Sequence, residues 1–170
     1  MLVEGGVRGA TVAAICRAAR LSQGALFQHY ATKQDLLVAA VERLYAAERA
    51  SFRQSLGDTA DLRDAVALLW RTFRRPAIAA SLELWASCRT DPKLRERLVP
   101  ALDAFWASLA AEAVGLFAPV AAGNQDFPVA LNLVFAALQS AAIGAAVTGR
   151  EPPELDRHID YATALLRGMP

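Results

Sequence analysis

Five polar side chains crowd one short stretch of the chain: Ser22, Gln23, Gln28, His29 and Lys33. They form no nucleophile–base pair. They are hydrogen-bond donors and acceptors of the size that reads base edges and holds phosphates. A glutamine carboxamide at 23 or 28 can bond adenine N6 and N7 together in the major groove. Ser22 is placed to cap a helix that starts after it. The free N–H groups of that first turn then carry a partial positive charge, which favours an anion. Lys33 adds a point charge at the start of the next helix.

Residues 11–37 read TVAAICRAARLSQGALFQHYATKQDLL. The pattern predicts a short helix from Thr11 to Ala19, a turn at Arg20-Leu21-Ser22, and a second short helix to about Tyr30. Val12, Ile15, Ala19, Leu21, Leu26 and Tyr30 are the apolar inner positions. That is the shape of a helix-turn-helix, whose second helix enters the major groove.

In register with this shape stand Gly6, Thr11, Val12, Ile15, Cys16, Ala18, Ala19, Leu21 and Ser22, followed by Gly24, Leu26, Phe27, His29, Tyr30, Lys33, Asp35, Leu36 and Leu37. The segment resembles the DNA-binding domain of the tetracycline-repressor (TetR) family of bacterial transcriptional regulators. The motif covers about residues 2–45. The resemblance implies phosphate contacts from Thr11, Ser22, His29 and Lys33, with Gln23, Ala25 and Gln28 near base edges. Arg20 stands where the family has a turn glycine. If the turn needs a positive φ, a side chain there costs on the order of 1 kcal/mol, which a phosphate contact from Arg20 would offset. Phe27 replaces a common Tyr and loses its hydroxyl, while Gln23 and Ala25 replace frequent Lys and Thr. The family also has a longer helix ahead of Gly6 than the residues here supply, so a truncated first helix is expected. Losing the burial of two or three large side chains would cost several kcal/mol.

The remaining composition fits a helical protein. The 170 residues carry 18 Lys plus Arg against 17 Asp plus Glu, a net charge of +1. A bulk polybasic or polyacidic chain is excluded, so a nucleic-acid role needs a local patch. Residues 1–50 hold six basic and four acidic side chains, whereas residues 51–170 hold twelve and thirteen. Apolar residues make up 55% and charged ones 21%, which excludes disorder. The 37 alanines predict an all-α chain. Cys16 and Cys88 lie far apart and show neither a disulfide framework nor a zinc spacing, so a reducing cytoplasm fits. The first residues lack the charge and apolar run of a signal peptide.

Beyond residue 32 the pattern predicts a long helix to about Leu56, one from Asp61 to about Arg74, one from Pro76, and one ending before Pro119. A loop from Val120 to Asp126 leads to a helix from Phe127 to Thr148, capped by Gly149. A last helix follows Pro152-Pro153. Phe127 to Gly149 carries no charge over 23 positions, long enough to cross a membrane. Pro128, Asn132, Gln139, Ser140 and Thr148 lie inside it, and no Lys/Arg cluster or aromatic belt flanks it. A buried helix of a soluble protein is the expected reading, with no membrane partner.

The architecture expected is an N-terminal helix-turn-helix DNA-binding domain over residues 1–45, followed by a helical-bundle ligand-binding and dimerisation domain over residues 46–170. Trp70, Phe73, Trp85, Cys88, Phe105, Trp106 and Phe135 are expected in the core, where apolar walls also suit a ligand cavity. Ala137, Ala141, Gly144 and Thr148 make a stripe of small side chains that lets another helix approach. In the family's layout this is the homodimer interface, completed by Leu155, Ile159, Ala162 and Leu166; close packing inside one subunit is the plain alternative. His158 lies between Asp156 and Asp160, but residues two apart on a helix do not share a face. No metal cluster, cofactor motif or catalytic arrangement emerges. The resemblance implies a double-stranded DNA operator, a second copy of the chain and an unidentified small-molecule effector as partners. A helical ligand-binding or scaffold dimer that has lost DNA binding is the rival reading.

Overall fold

The computed structural model describes residues 9–57 and 61–169. The expected truncated helix ahead of Gly6, and the break at Asp58-Thr59, lie outside the described residues. The described residues form α-helices joined by turns, with no strand among them: α1 (Val12–Ala19), α2 (Gln23–His29), α3 (Lys33–Leu56), α4 (Leu62–Phe73), α5 (Pro76–Ser87), α6 (Pro92–Leu116), α7 (Ala118–Gly123), α8 (Phe127–Thr148) and α9 (Leu155–Leu166). They fall into two compact units. The first takes residues up to 47 and 76–105, and the second takes 48–75 and 106–170.

Local signals set most helix ends. Thr32 Oγ1 accepts from the Asp35 N–H at 3.1 Å, capping α3, and donates to Asp35 Oδ2 at 2.8 Å. Asp61 Oδ1 accepts from the Arg63 N–H at 2.7 Å to open α4. Asp91 does the same for α6 through the Leu94 N–H at 3.0 Å. Pro76 and Pro92 open α5 and α6, positions that need no N–H donor. The stretch expected as a loop after Pro119 instead contains α7. Pro119 is preset for a first helical turn, and the Ala121 N–H closes that turn on Phe117 O at 2.8 Å.

In the first unit, Leu84 and Leu98 are fully buried, with Leu26, Leu37, Val41 and Leu94 close behind. A polar link lies within this core. Ser81 Oγ donates to Ile78 O at 2.7 Å, so the Tyr45 hydroxyl, 3.0 Å away, donates to Ser81. Burial raises the Tyr45 pKa, and the bond to Ser81 partly offsets this. The Tyr45 ring stacks on Phe105 with centroids 4.4 Å apart. Cys16 and Cys88 are both buried. Burial, reinforced by Asp91, pushes the Cys88 thiol up and away from the reactive thiolate.

The second unit is built on α4, α8 and α9, which pack on one another. Among the described residues two helices, α6 and α8, are long and apolar enough to cross a membrane by length and composition alone. In α8, Phe127, Ala130, Leu131, Val134, Leu138, Ala142 and Ala145 form one buried row, as in a core helix. The end of α9 is held by Asn124. Its Nδ2 donates to Leu165 O at 3.3 Å and Leu166 O at 3.0 Å, and its Oδ1 accepts from the Asp126 N–H at 3.0 Å. Arg49 Nε reaches the largely buried carboxylate of Glu112 at 2.9 Å, and Arg53 joins the same carboxylate. Asn124 is 8% exposed, so removing its amide leaves the Leu166 carbonyl and the Asp126 N–H without that partner, while Leu165 O keeps the Gly168 N–H. Asn124→Ala should lower stability by about 2 kcal/mol, seen as a lower urea midpoint at unchanged slope.

Candidate nucleic-acid interface

The sequence TVAAICRAARLS sets the geometry of the α1–α2 turn. Thr11 Oγ1 accepts from the Ala14 N–H at 3.2 Å, and Ser22 Oγ accepts from the Ala25 N–H at 3.1 Å. Each hydroxyl caps its helix and keeps its own hydrogen to donate outward. At the end of α1 the Arg20 N–H bonds Arg17 O at 3.3 Å, and the Leu21 N–H bonds Cys16 O at 2.9 Å. This pair of bonds is a Schellman motif, which puts the residue at Arg20 in the left-handed region. Arg20 has φ 55° and ψ 39°. The positive φ anticipated at this turn is therefore present, on a residue with a side chain.

Leu26 is buried, and Ala25 and Tyr30 are half-buried, on the inner side of α2. Gln23, Gly24, Phe27 and Gln28 form the outward row, with His29 exposed at the helix end. Phe27 is 43% exposed, unusual for a ring with no polar handle. Thr11, Arg20 and Ser22 are exposed, and Lys33 is half-buried at the start of α3. Residues 5–34 contain no Asp or Glu. Arg17, exposed in the last turn of α1, belongs to this cationic stretch and is a candidate that motif reading missed. The absence of acids around it is the signal that could have found it.

The aromatic set divides between the two units. In the second, Phe73 meets Phe135 edge-on with centroids 6.2 Å apart, and Phe135 lies 5.6 Å from Trp106. Trp70 is buried there, with Arg74 over its ring at 5.7 Å. In the first, Cys88 is buried, Phe105 is half-buried and Trp85 is 56% exposed.

On α8, Ala137, Gly144 and Thr148 are exposed and Ala141 is half-buried. A Cβ added at Gly144 would meet no heavy atom within 4 Å. The Thr148 hydroxyl donates to Gly144 O at 2.8 Å. Larger apolar side chains share this uncovered side of the helix: Val129, Leu133, Ile143 and Val147, the last 81% exposed. On α9, Leu155 and Ala162 are half-buried, while Ile159 and Leu166 point into the chain's own core. These two are not available to a partner, because the apolar stripe of α9 is the side that packs on α4 and α8. Tyr161 and Leu165 are exposed instead. Between α8 and α9 runs a groove of about 570 Å³, lined by Trp70, Leu133, Ala137, Tyr161, Leu165 and Met169 among others.

Residues 1–40 match the profile described as bacterial regulatory proteins, tetR family. Two uncharacterized HTH-type transcriptional regulators, from Mycobacterium bovis and Mycobacterium tuberculosis, are each 30% identical over 171 residues, covering 97% of this chain and 86% of theirs. No solved structure matches the chain. The chain belongs to the TetR family of helix-turn-helix transcriptional regulators. Arg20, like Glu154 ahead of α9, holds a left-handed backbone with a side chain. Arg20→Gly should raise the stability of the DNA-free protein by about 1 kcal/mol, a rise of ~2–4 °C in melting temperature for a chain of this size.

Proposed function

We propose that the chain is a homodimeric, ligand-responsive repressor that binds a palindromic operator in the bacterial cytoplasm. The observation that carries the DNA reading is the outward row of α2, which presents the Gln23 and Gln28 amides and no acid, on a helix whose opposite side is anchored by Leu26. In this reading Gln23 and Gln28 supply amides to base edges, with Ala25 close by. Thr11, Arg20, Ser22, His29 and Lys33 hold phosphates and fix the register. Residues 1–45 do the reading, and residues 46–170 bind the effector and the second subunit.

The dimer reading is supported by the uncovered apolar side of α8 and its continuation onto Tyr161 and Leu165 of α9. Contiguous exposed apolar surface of this kind marks an interaction site. A two-fold pairing of that surface presents two reading helices, and a dyad in the protein calls for a dyad in the DNA. The aromatic cluster of Phe73, Trp106 and Phe135 suits an apolar or amphipathic effector. Such a molecule releases the operator only if it binds the DNA-incompetent form more tightly.

Two experiments test this reading. Genomic fragments retained by the purified chain should be enriched in one palindromic sequence, with retention falling as salt rises. A soluble dimer that enriches nothing would instead support the scaffold reading. Leu133→Glu, which places a carboxylate in the apolar interface, should convert the dimer to monomer in sedimentation analysis. A dimer that persists unchanged would place the interface elsewhere.

A further inference from the structure

Eight of the arginines are paired with carboxylates: Arg49, Arg53, Arg63, Arg74, Arg75, Arg97, Arg157 and Arg167. Among the described residues, Arg17 and Arg20 belong to the exposed arginines without such a partner, as do Arg43, Arg71, Arg89, Arg95 and Arg150; what sets these two apart is that they share one turn inside the acid-free stretch. Both are exposed, and among the described residues neither side chain has a hydrogen bond or ion pair. No carboxylate stands within residues 5–34 to compete for them. They are held together by their backbones, since the Arg20 N–H bonds Arg17 O at 3.3 Å in the Schellman turn. Two free guanidinium groups thus project from one turn, and one of them sits on a left-handed residue, a backbone state glycine adopts without strain.

We propose that Arg17 and Arg20 together grip the phosphate backbone of the duplex beside the reading helix, and that the strain held at Arg20 is offset by this contact. The proposal rests on the DNA-binding reading and adds Arg17 to it. The placement fits: in a helix-turn-helix the first helix crosses the DNA backbone while the second enters the groove. Arg17 ends the first helix, and Arg20 stands in the turn between the two. The chemistry fits as well. A guanidinium presents a planar fork of donors that matches phosphate oxygens and keeps its charge at any physiological pH. Because phosphates carry no sequence information, the pair contributes affinity and register rather than base preference.

The test is the salt dependence of binding, measured by fluorescence anisotropy on the enriched duplex and on a short mixed-sequence duplex. Removing one guanidinium–phosphate pair should make the slope of log K against log salt shallower by ~0.9 per subunit. Arg17→Ala and Arg20→Ala should each do so, and should weaken both duplexes by the same factor. Arg20→Lys should keep most of the slope. Arg20→Gly should melt higher than the parent protein yet bind more weakly with the shallower slope. Unchanged slopes in Arg17→Ala and Arg20→Gly would overturn the proposal while leaving DNA binding itself intact. A lower melting temperature in Arg17→Ala with an unchanged slope would show that Arg17 only complements the carbonyl end of α1, which also overturns it. If the parent chain binds neither duplex, the DNA-binding reading fails, and this proposal fails with it.

Discussion

A helix of 22 residues without a single charge cannot leave its sides to water cheaply, and α8 is such a helix. One side is buried against α4 and α9 of the same chain. The other carries Val129, Leu133, Ile143 and Val147 in the open. Each large apolar side chain contributes about 1.5–3 kcal/mol when fully buried. A two-fold axis counts each of these four twice, against an association cost of about 4–15 kcal/mol. The four are 44–81% exposed in one chain, so the gain is smaller than that sum and of the same order as the cost; the proposed self-association is one way to complete α8. The proposed palindromic operator depends on that pairing.

The reading end rests on a different constraint. With only seven residues, α2 is too short to be stable alone. It depends on the Ser22 cap, on the burial of Leu26 and on the Schellman turn that aims it. That turn sets φ at residue 20 whatever residue stands there. Glycine would accept the conformation freely, whereas arginine holds it under strain and adds a charge. The local cost and the available cation are two consequences of one substitution, at a point where strain marks function in other proteins.

Much of this was legible in the sequence because the signals are local. The Ser22 cap, the proline start of α5 and Gly149 at the end of α8 each act within one turn, so residue type and spacing reveal them. The positive φ of Arg20 was legible for the same reason, as a turn that elsewhere takes glycine. The left-handed Glu154 ahead of α9 carries no such mark. What covers an apolar stripe was not legible. Periodicity places Leu155, Ile159, Ala162 and Leu166 on one side of α9 but does not say whether the neighbour belongs to the same chain or another. The structure turns Ile159 and Leu166 inward. The aromatic residues posed the same difficulty. Their size predicts packing against apolar neighbours, yet Trp85 is exposed, and the set is shared between two compact units whose membership is decided by long-range packing. Helix α7 went unread because a proline after a long helix signals a stop and a fresh start equally well.

Guanine N7 protection on the enriched duplex, read base by base with the chain bound, is the most direct measurement of operator recognition by a pair of reading helices. Two protected patches related by a dyad and lying in successive major grooves on one side of the DNA, about 34–36 Å or somewhat more apart, are the expected result. A single patch, or retention of the duplex without any major-groove protection, would contradict it.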